Sequence, residues 1–363
     1  MKKNNLLLGI LLMMMFCGIS QNDESGKLVL ITLDGLRWQE LFSGADAKLI
    51  SNKEYVHDTV KLKEKFWRDS EAERRKALMP FFWSEVSRIG RLHGNRDLGS
   101  KVDLTNRMWF SYPGYNEILT GRVDNKRINS NKKINNPNTT ILEIANKDNN
   151  YSGKVAAFGS WDVFPFIVNE SRSGVPVNAG FESADGPELS EREVFLNELQ
   201  QQIPSPWGTV RLDAFTHHYA MEYMKQHHPK VLYVAYGETD DFAHDGNYEA
   251  YLNSANTTDK FIEELWNYVQ TDPFYKGQTT FIVTTDHGRG TEPLGNWRHH
   301  GIRIKGAGEV WLVAFGKQIS PAGELGIEEQ LYSTQIAPTV LNLLGLSPEN
   351  QNKLAKPLPL RKP

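Results

Sequence analysis

Six carboxylate and imidazole residues recur at a common place in the apolar pattern of this chain. Asp34 closes one apolar run, Asp240 and His244 follow a second, Asp286 and His287 close a third, and His300 comes just after. Carboxylate oxygen and imidazole nitrogen are donors that hard and borderline divalent cations accept, and zinc sites commonly combine the two. Taken singly, each cluster reads more readily as a strand-ending turn, because Asp and Gly favour turns on their own account. Taken together, three acid-bearing run ends, two of them with histidine, plus His300 before Gly301, imply a two-metal hydrolytic site.

Hydrolysis of this kind needs a nucleophile. The segment MWFSYPGYNEILTG offers Ser111 in front of Pro113 and Gly114, at the entrance of a short helical pattern that ends at Gly121. The alternative role for a serine there is an N-cap on exposed helix amides. A serine hydroxyl is a poor nucleophile near neutral pH, so a base or a metal must favour its alkoxide.

The elements that must position these groups are short runs rich in β-branched residues: KLVLITL from Lys27, VLYVAYG from Val231, TTFIVTT from Thr279 and EVWLVAFG from Glu309. They read as buried parallel strands. Helical spacing covers 189–203, 212–227, 248–269 and 327–344. Alternating strands and helices predict an α/β fold of three α/β/α layers around a mostly parallel sheet, with the ligand crevice at the carboxyl ends of the strands. The stretch 38–105 is dense in charge and aromatics, without a clear strand pattern, and reads as a helical insertion or cap. Residues 122–136 (RVDNKRINSNKKINN) read as a solvated polar loop.

The chain has 363 residues, 39% of them hydrophobic and 23% charged, with a formal charge of −3. That balance suits a globular protein and carries no nucleic-acid-binding signature. Lys2 and Lys3 precede an apolar stretch from Leu6 to Phe16, then Gly18 and Ser20, the order of an export signal over 1–20. The stretch falls short of the about twenty residues that a membrane-spanning helix requires. A secreted or periplasmic chain of residues 21–363, forming a single catalytic domain, is therefore expected. The one cysteine, Cys17, lies inside the signal, so the mature chain could form no disulfide. Cys17 alternatively resembles a bacterial lipoprotein acylation site, although Phe16 stands where such sites favour a small residue.

The ordered set LDG at Leu33, Ser-x-Pro at Ser111, Asp-x3-His at Asp240, TTDHG at Thr284 and HG at His300 resembles the alkaline phosphatase superfamily. Ser111-Tyr112-Pro113 looks most like its type I phosphodiesterase and nucleotide pyrophosphatase branch, and STQIAPTVLNLLGL from Ser333 resembles the superfamily's closing helix. The likeness runs from about residue 27 to 346. It implies one metal on Asp34, Asp286, His287 and Ser111 and another on Asp240, His244 and His300, the ions being zinc or, alternatively, manganese. It also implies a phosphate ester substrate, a monoester or a diester, and a covalent phosphoserine. His299 rivals His300, but the family pattern places the ligand directly before glycine. The branch commonly has an asparagine after the proline to hold a phosphoryl oxygen, whereas this chain has Gly114; Asn116 and Arg289 are the substitutes the sequence offers, with a surface asparagine and an Arg289–Glu292 pair as the alternatives.

Among the remaining residues, His217, His218, His227 and His228 read as ordinary helix histidines, and Trp161 and Asp162 as candidate pocket residues. Within the superfamily the rival activities are a sulfatase and a phosphomutase. Tyr115 occupies the position where the sulfatase motif carries arginine, and a mutase would need a sizeable separate domain. Outside enzymes, the alternative is a non-catalytic metal-containing binding protein, against which the complete ligand set argues.

Overall fold

The computed structural model describes residues 26–347 and 354–360. Strand β1 (Lys27–Leu33) is buried along its whole length, and alternation divides its side chains between two cores, Val29, Ile31 and Leu33 entering one and Leu28 and Leu30 the other. A strand apolar on both faces belongs inside a sheet covered on both sides. The others follow as β2 (Gly90–His93), β3 (Ser100–Asp103), β4 (Val155–Gly159), β5 (Val177–Ala179), β6 (Val231–Tyr236), β7 (Thr279–Thr284), β8 (Glu309–Val310), β9 (Leu312–Gly316), β10 (Gly323–Glu324) and β11 (Glu329–Tyr332). Eight of them form one sheet in the order β10-β2-β9-β7-β1-β6-β4-β5, and β11-β3-β8 form a small second sheet.

Helices cover both faces. Residues of Asp213–His227 and Tyr248–Thr271 fill the core that receives Val29, Ile31 and Leu33. Residues of Ser111–Thr120, Ile141–Lys147 and Ile336–Leu344 fill the opposite one. The protein is thus a three-layer α/β fold, and β1 pairs in parallel with both β6 and β7, so the carboxyl ends of these three central strands emerge side by side.

The fold departs from the sequence reading in three places. The run from Glu309 is not a parallel strand: it splits into β8 in the small sheet and β9, which runs antiparallel to both β7 and β2. A parallel return is usually made through a crossover helix packed on the sheet, and between β7 and β8 the chain forms only the 3₁₀ turn Leu294–Arg298. Cross-strand stacking of Phe281 on Phe315, with centroids 4.9 Å apart, fastens the antiparallel pair. The segment 38–105 carries helices but also supplies β2 and β3. The expected helix over 327–344 begins instead as β11, turns through Ser333–Gln335, and is helical only over Ile336–Leu344. The expected export signal over 1–20 and Cys17 lie outside the described residues. No helix among the described residues is long and apolar enough to cross a membrane.

Candidate active site

Each central strand ends in a residue of the predicted ligand set. Asp34 follows β1, and Gly35 turns the chain at φ +61°, a conformation glycine adopts without steric cost. Past β6, Asp240 and His244 lie one turn apart on the helix Glu238–His244. Asp286 and His287 follow β7, and the loop before β8 returns His300 to the same end. Ser111 is the first residue of the helix Ser111–Thr120; the capping position is Phe110, so the serine hydroxyl does not serve as an N-cap.

These residues converge. His287 Nε2 lies 3.2 Å from Asp34 Oδ1, 3.5 Å from Asp286 Oδ2, 3.5 Å from Asp240 Oδ1 and 3.5 Å from Ser111 Oγ. His244 Nε2 is 3.2 Å from Asp240 Oδ2 and 2.9 Å from His300 Nε2, which is itself 3.7 Å from Asp240 Oδ1. The His287 and His300 rings stack at 3.9 Å. His299, the rival, is exposed. Two groups have ligand atoms close enough to hold one ion: Asp34, Asp286 and His287, and Asp240, His287 and His300.

The polar atoms around this cluster are oriented for cations. His287 Nδ1 lies 3.0 Å from the Gly288 carbonyl and His300 Nδ1 3.2 Å from the Trp109 carbonyl, so each Nδ1–H is donated to backbone and each Nε2 is turned toward the cluster, where a cation would take the place of any proton it carries. Asp286 accepts the Gly35 amide through Oδ1, and Asp34 accepts the Tyr115 hydroxyl through Oδ2. The second oxygens, Asp286 Oδ2 and Asp34 Oδ1, are buried without a hydrogen-bond partner, an arrangement that is costly unless a cation meets them. Burial, and then the charge of Asp34, pushes the Asp286 carboxyl well above the usual carboxylate range. Burial opposes a charge on His287, but Asp286 and Asp34 outweigh it and raise its pKa to about 9. The cluster draws positive charge, and its donor set fits divalent ions.

Two substitutes proposed for the phosphoryl-oxygen contact are committed elsewhere. The Asn116 side chain donates to the Arg122 carbonyl, and its oxygen accepts from Asn138 and Asn136, so it faces the polar loop rather than the crevice. Arg289 is fully buried; it donates to the carbonyls of Gly35, Arg298 and Asp240 and to the Asp240 carboxylate, while Glu292 pairs with Lys48. It ties the strand ends together and braces Asp240. A residue that the sequence reading left in solvent takes a more informative place: Asn131, in the loop 122–136, accepts the backbone amide of Tyr112 at 3.0 Å. That bond fixes its carboxamide beside the nucleophile helix.

Trp161 and Asp162 stand at the end of β4, where Asp162 binds Lys133 at 2.7 Å, on the same loop as Asn131. His217 is buried between the Tyr236 hydroxyl and Glu264, and His218 faces Arg192. With Glu264 these two could form a third ligand group, but both nitrogens of His217 are already paired within the protein.

Residues 189–348 match the sequence profile of the Metalloenzyme superfamily. No curated protein matches the chain by sequence. By structure, it is similar to the alkaline phosphatase PafA, with a TM-score of 0.59 at 12% identity over 92% of this chain and 98% of that one. It is also similar to a 2-O GAG sulfatase (0.55, 12%, covering 92% and 73%) and to the lipoteichoic acid synthase LtaP from Listeria monocytogenes (0.56, 11%, covering 90% and 73%). The chain therefore has the alkaline phosphatase-like fold and carries, over 189–348, the sequence pattern of the metalloenzyme superfamily.

Proposed function

We propose that this protein is an exported, metal-dependent hydrolase of phosphate esters that works through a covalent phosphoserine at Ser111. One observation carries the reading: three carboxylates and three imidazoles converge around a serine hydroxyl, with two buried carboxylate oxygens left without a hydrogen-bond partner. Asp34, Asp286 and His287, with Ser111, would hold one ion, and Asp240, His244 and His300 the other, zinc or manganese being suited to these donors. Cations bound there would supply the charge that favours the serine alkoxide, offsets the charge on the leaving oxygen and lowers the pKa of the hydrolytic water.

The residues of the chain do the rest. In the first step the Ser111 Oγ–P bond forms as the ester P–O bond breaks and the alcohol leaves. In the second, water cleaves phosphoserine, releasing inorganic phosphate from a monoester, or a phosphate monoester from a diester, and restoring the serine. Asn131, held by the Tyr112 amide, directs its carboxamide N–H groups to a non-bridging phosphoryl oxygen. Removing one such donor typically costs about 100-fold or more in rate; with an exposed asparagine the expected loss for Asn131→Ala is about 10- to 100-fold in kcat. Unchanged kcat would remove Asn131 from the site.

A sulfatase reading is supported by the likeness to a 2-O GAG sulfatase. Against it, Tyr115 stands at the motif position where sulfatases carry arginine, and its hydroxyl is engaged with Asp34. The deciding experiment is a panel of aryl phosphate monoester, phosphate diester and sulfate ester substrates on zinc-loaded and manganese-loaded protein. Phosphate ester hydrolysis is expected; exclusive sulfate release would overturn the proposal, and transfer of phosphate between hydroxyls without release would identify a mutase. Asp240→Ala and His300→Ala should each lower bound metal by about one equivalent, measured by elemental analysis. A variant that retains both ions contradicts its assigned ligand.

A further inference from the structure

We propose that Tyr115 is a positioning residue that holds Asp34 as a single-oxygen ligand and ties that ligand to the nucleophile. Tyr115 lies on the helix Ser111–Thr120 one turn beyond Ser111, and its side chain is fully buried. The ring packs edge-on against Phe164, with centroids 4.8 Å apart at 69°, and Phe164 packs in turn against Tyr233. This aromatic stack fixes where the hydroxyl points, and it points at Asp34 Oδ2, 2.8 Å away.

A phenol donates to a carboxylate, so one oxygen of Asp34 is occupied from the helix side. The main chain of Asp34 is fixed as well: its amide donates to the Tyr236 carbonyl and its carbonyl accepts the Thr239 hydroxyl. What remains is Oδ1, buried, without a hydrogen-bond partner and 3.2 Å from His287 Nε2. Without the Tyr115 hydroxyl the carboxylate could rotate, or could offer both oxygens, and the distance from ligand to nucleophile would no longer be set. Because Ser111 and Tyr115 ride on one helix, any shift of the serine is transmitted to Asp34, and the attacking oxygen and the ligand keep a constant spacing. Partners that orient a metal-binding group typically contribute 10- to 100-fold to metal affinity.

This inference rests on the two-metal reading above, and its test separates the two. Metal-free protein is titrated with Zn²⁺ by calorimetry, as wild type and as Tyr115→Phe, which keeps the ring and its packing and removes only the hydroxyl. The same substitution is also made on Asp240→Ala, where the site of Asp34, Asp286 and His287 is the one that remains. The expected result is an affinity about 10- to 100-fold weaker at that site, in both backgrounds, with the second wild-type site unchanged. Thermal melting with and without zinc accompanies each titration; the melting point of metal-free protein is expected to move little and that of zinc-loaded protein to fall. Equal zinc affinities in the two proteins would overturn the role of Tyr115, as would a stability loss of the same size with and without zinc, the mark of a purely structural residue. A wild type that binds no zinc or manganese would instead overturn the metal reading itself.

Discussion

Ser111→Ala is expected to lower phosphate ester hydrolysis by about three orders of magnitude or more while leaving metal content nearly unchanged. Nucleophile removal in hydrolases that use a covalent serine has effects of that size or larger, the residue of activity coming from binding and charge stabilisation alone. Here the geometry separates the hydroxyl from structural roles. Phe110 holds the capping position and Ser111 Oγ meets His287 Nε2 at 3.5 Å, so alanine at this first helical position removes chemistry without removing a cap. Each proposed ion keeps three protein ligands when the hydroxyl is lost, and this is why metal content should hold. Steady-state kinetics with the best ester of the substrate panel, together with elemental analysis of the same preparation, checks both halves. Retained turnover would show that water attacks the ester directly and would sink the phosphoserine. Lost turnover together with lost metal would show that Ser111 acts mainly as a ligand.

Much of this centre was legible in the sequence because strand ends are legible. The runs from Lys27, Val231 and Thr279 are apolar on both faces, which marks central strands; Asp34 and Asp286 follow the first and third at once, and Asp240 follows the second within the first turn of the helix Glu238–His244. Parallel pairing of β1 with β6 and β7 then brings those acids together without any further signal. The direction of the run from Glu309 was not legible, because a fully buried apolar strand has the same composition whichever way it runs. Its antiparallel course goes with a connection from β7 that holds no crossover helix, only the 3₁₀ turn Leu294–Arg298, a property of the loop and not of the strand. The four-residue strands β2, β3 and β11 are too brief for alternation to stand out among charged neighbours. Asn131 was missed for a different reason: in RVDNKRINSNKKINN asparagine is what any turn-rich loop contains, and only the fold shows which asparagine meets the Tyr112 amide. Conversely, Arg289 has the chemistry for phosphate but is consumed by three carbonyls and Asp240, a use that residue type cannot reveal.

Gly114→Ala is expected to cost activity as severely as loss of a catalytic contact, although glycine has no side chain to contribute. A Cβ at Gly114 would stand 2.1 Å from the Asp286 carbonyl oxygen and 2.9 Å from its carbonyl carbon. Those are backbone atoms directly beyond β7, and they cannot swing aside as a side chain would. The helix Ser111–Thr120 must then withdraw by about an ångström or more, carrying Ser111 away from His287 and Tyr115 away from Asp34. Displacements of about 1 Å in a reacting group can cost about 100-fold, and overpacking of a well-filled interior typically costs about 1–3 kcal/mol. The same contact accounts for the absence of the asparagine that the resemblance leads one to expect after Pro113, since any side chain there collides with the strand end; in the proposed mechanism Asn131 would supply a carboxamide from the loop instead. The expected result is a kcat about 100-fold lower, with a lower denaturation midpoint in urea. Gly208→Ala, at a position with nothing within 4 Å of the added carbon, is the control that should behave as wild type. Full activity in Gly114→Ala would mean that the helix and the strand end can separate without consequence, and the coupling between nucleophile and ligands that the close approach creates would then have no role in turnover.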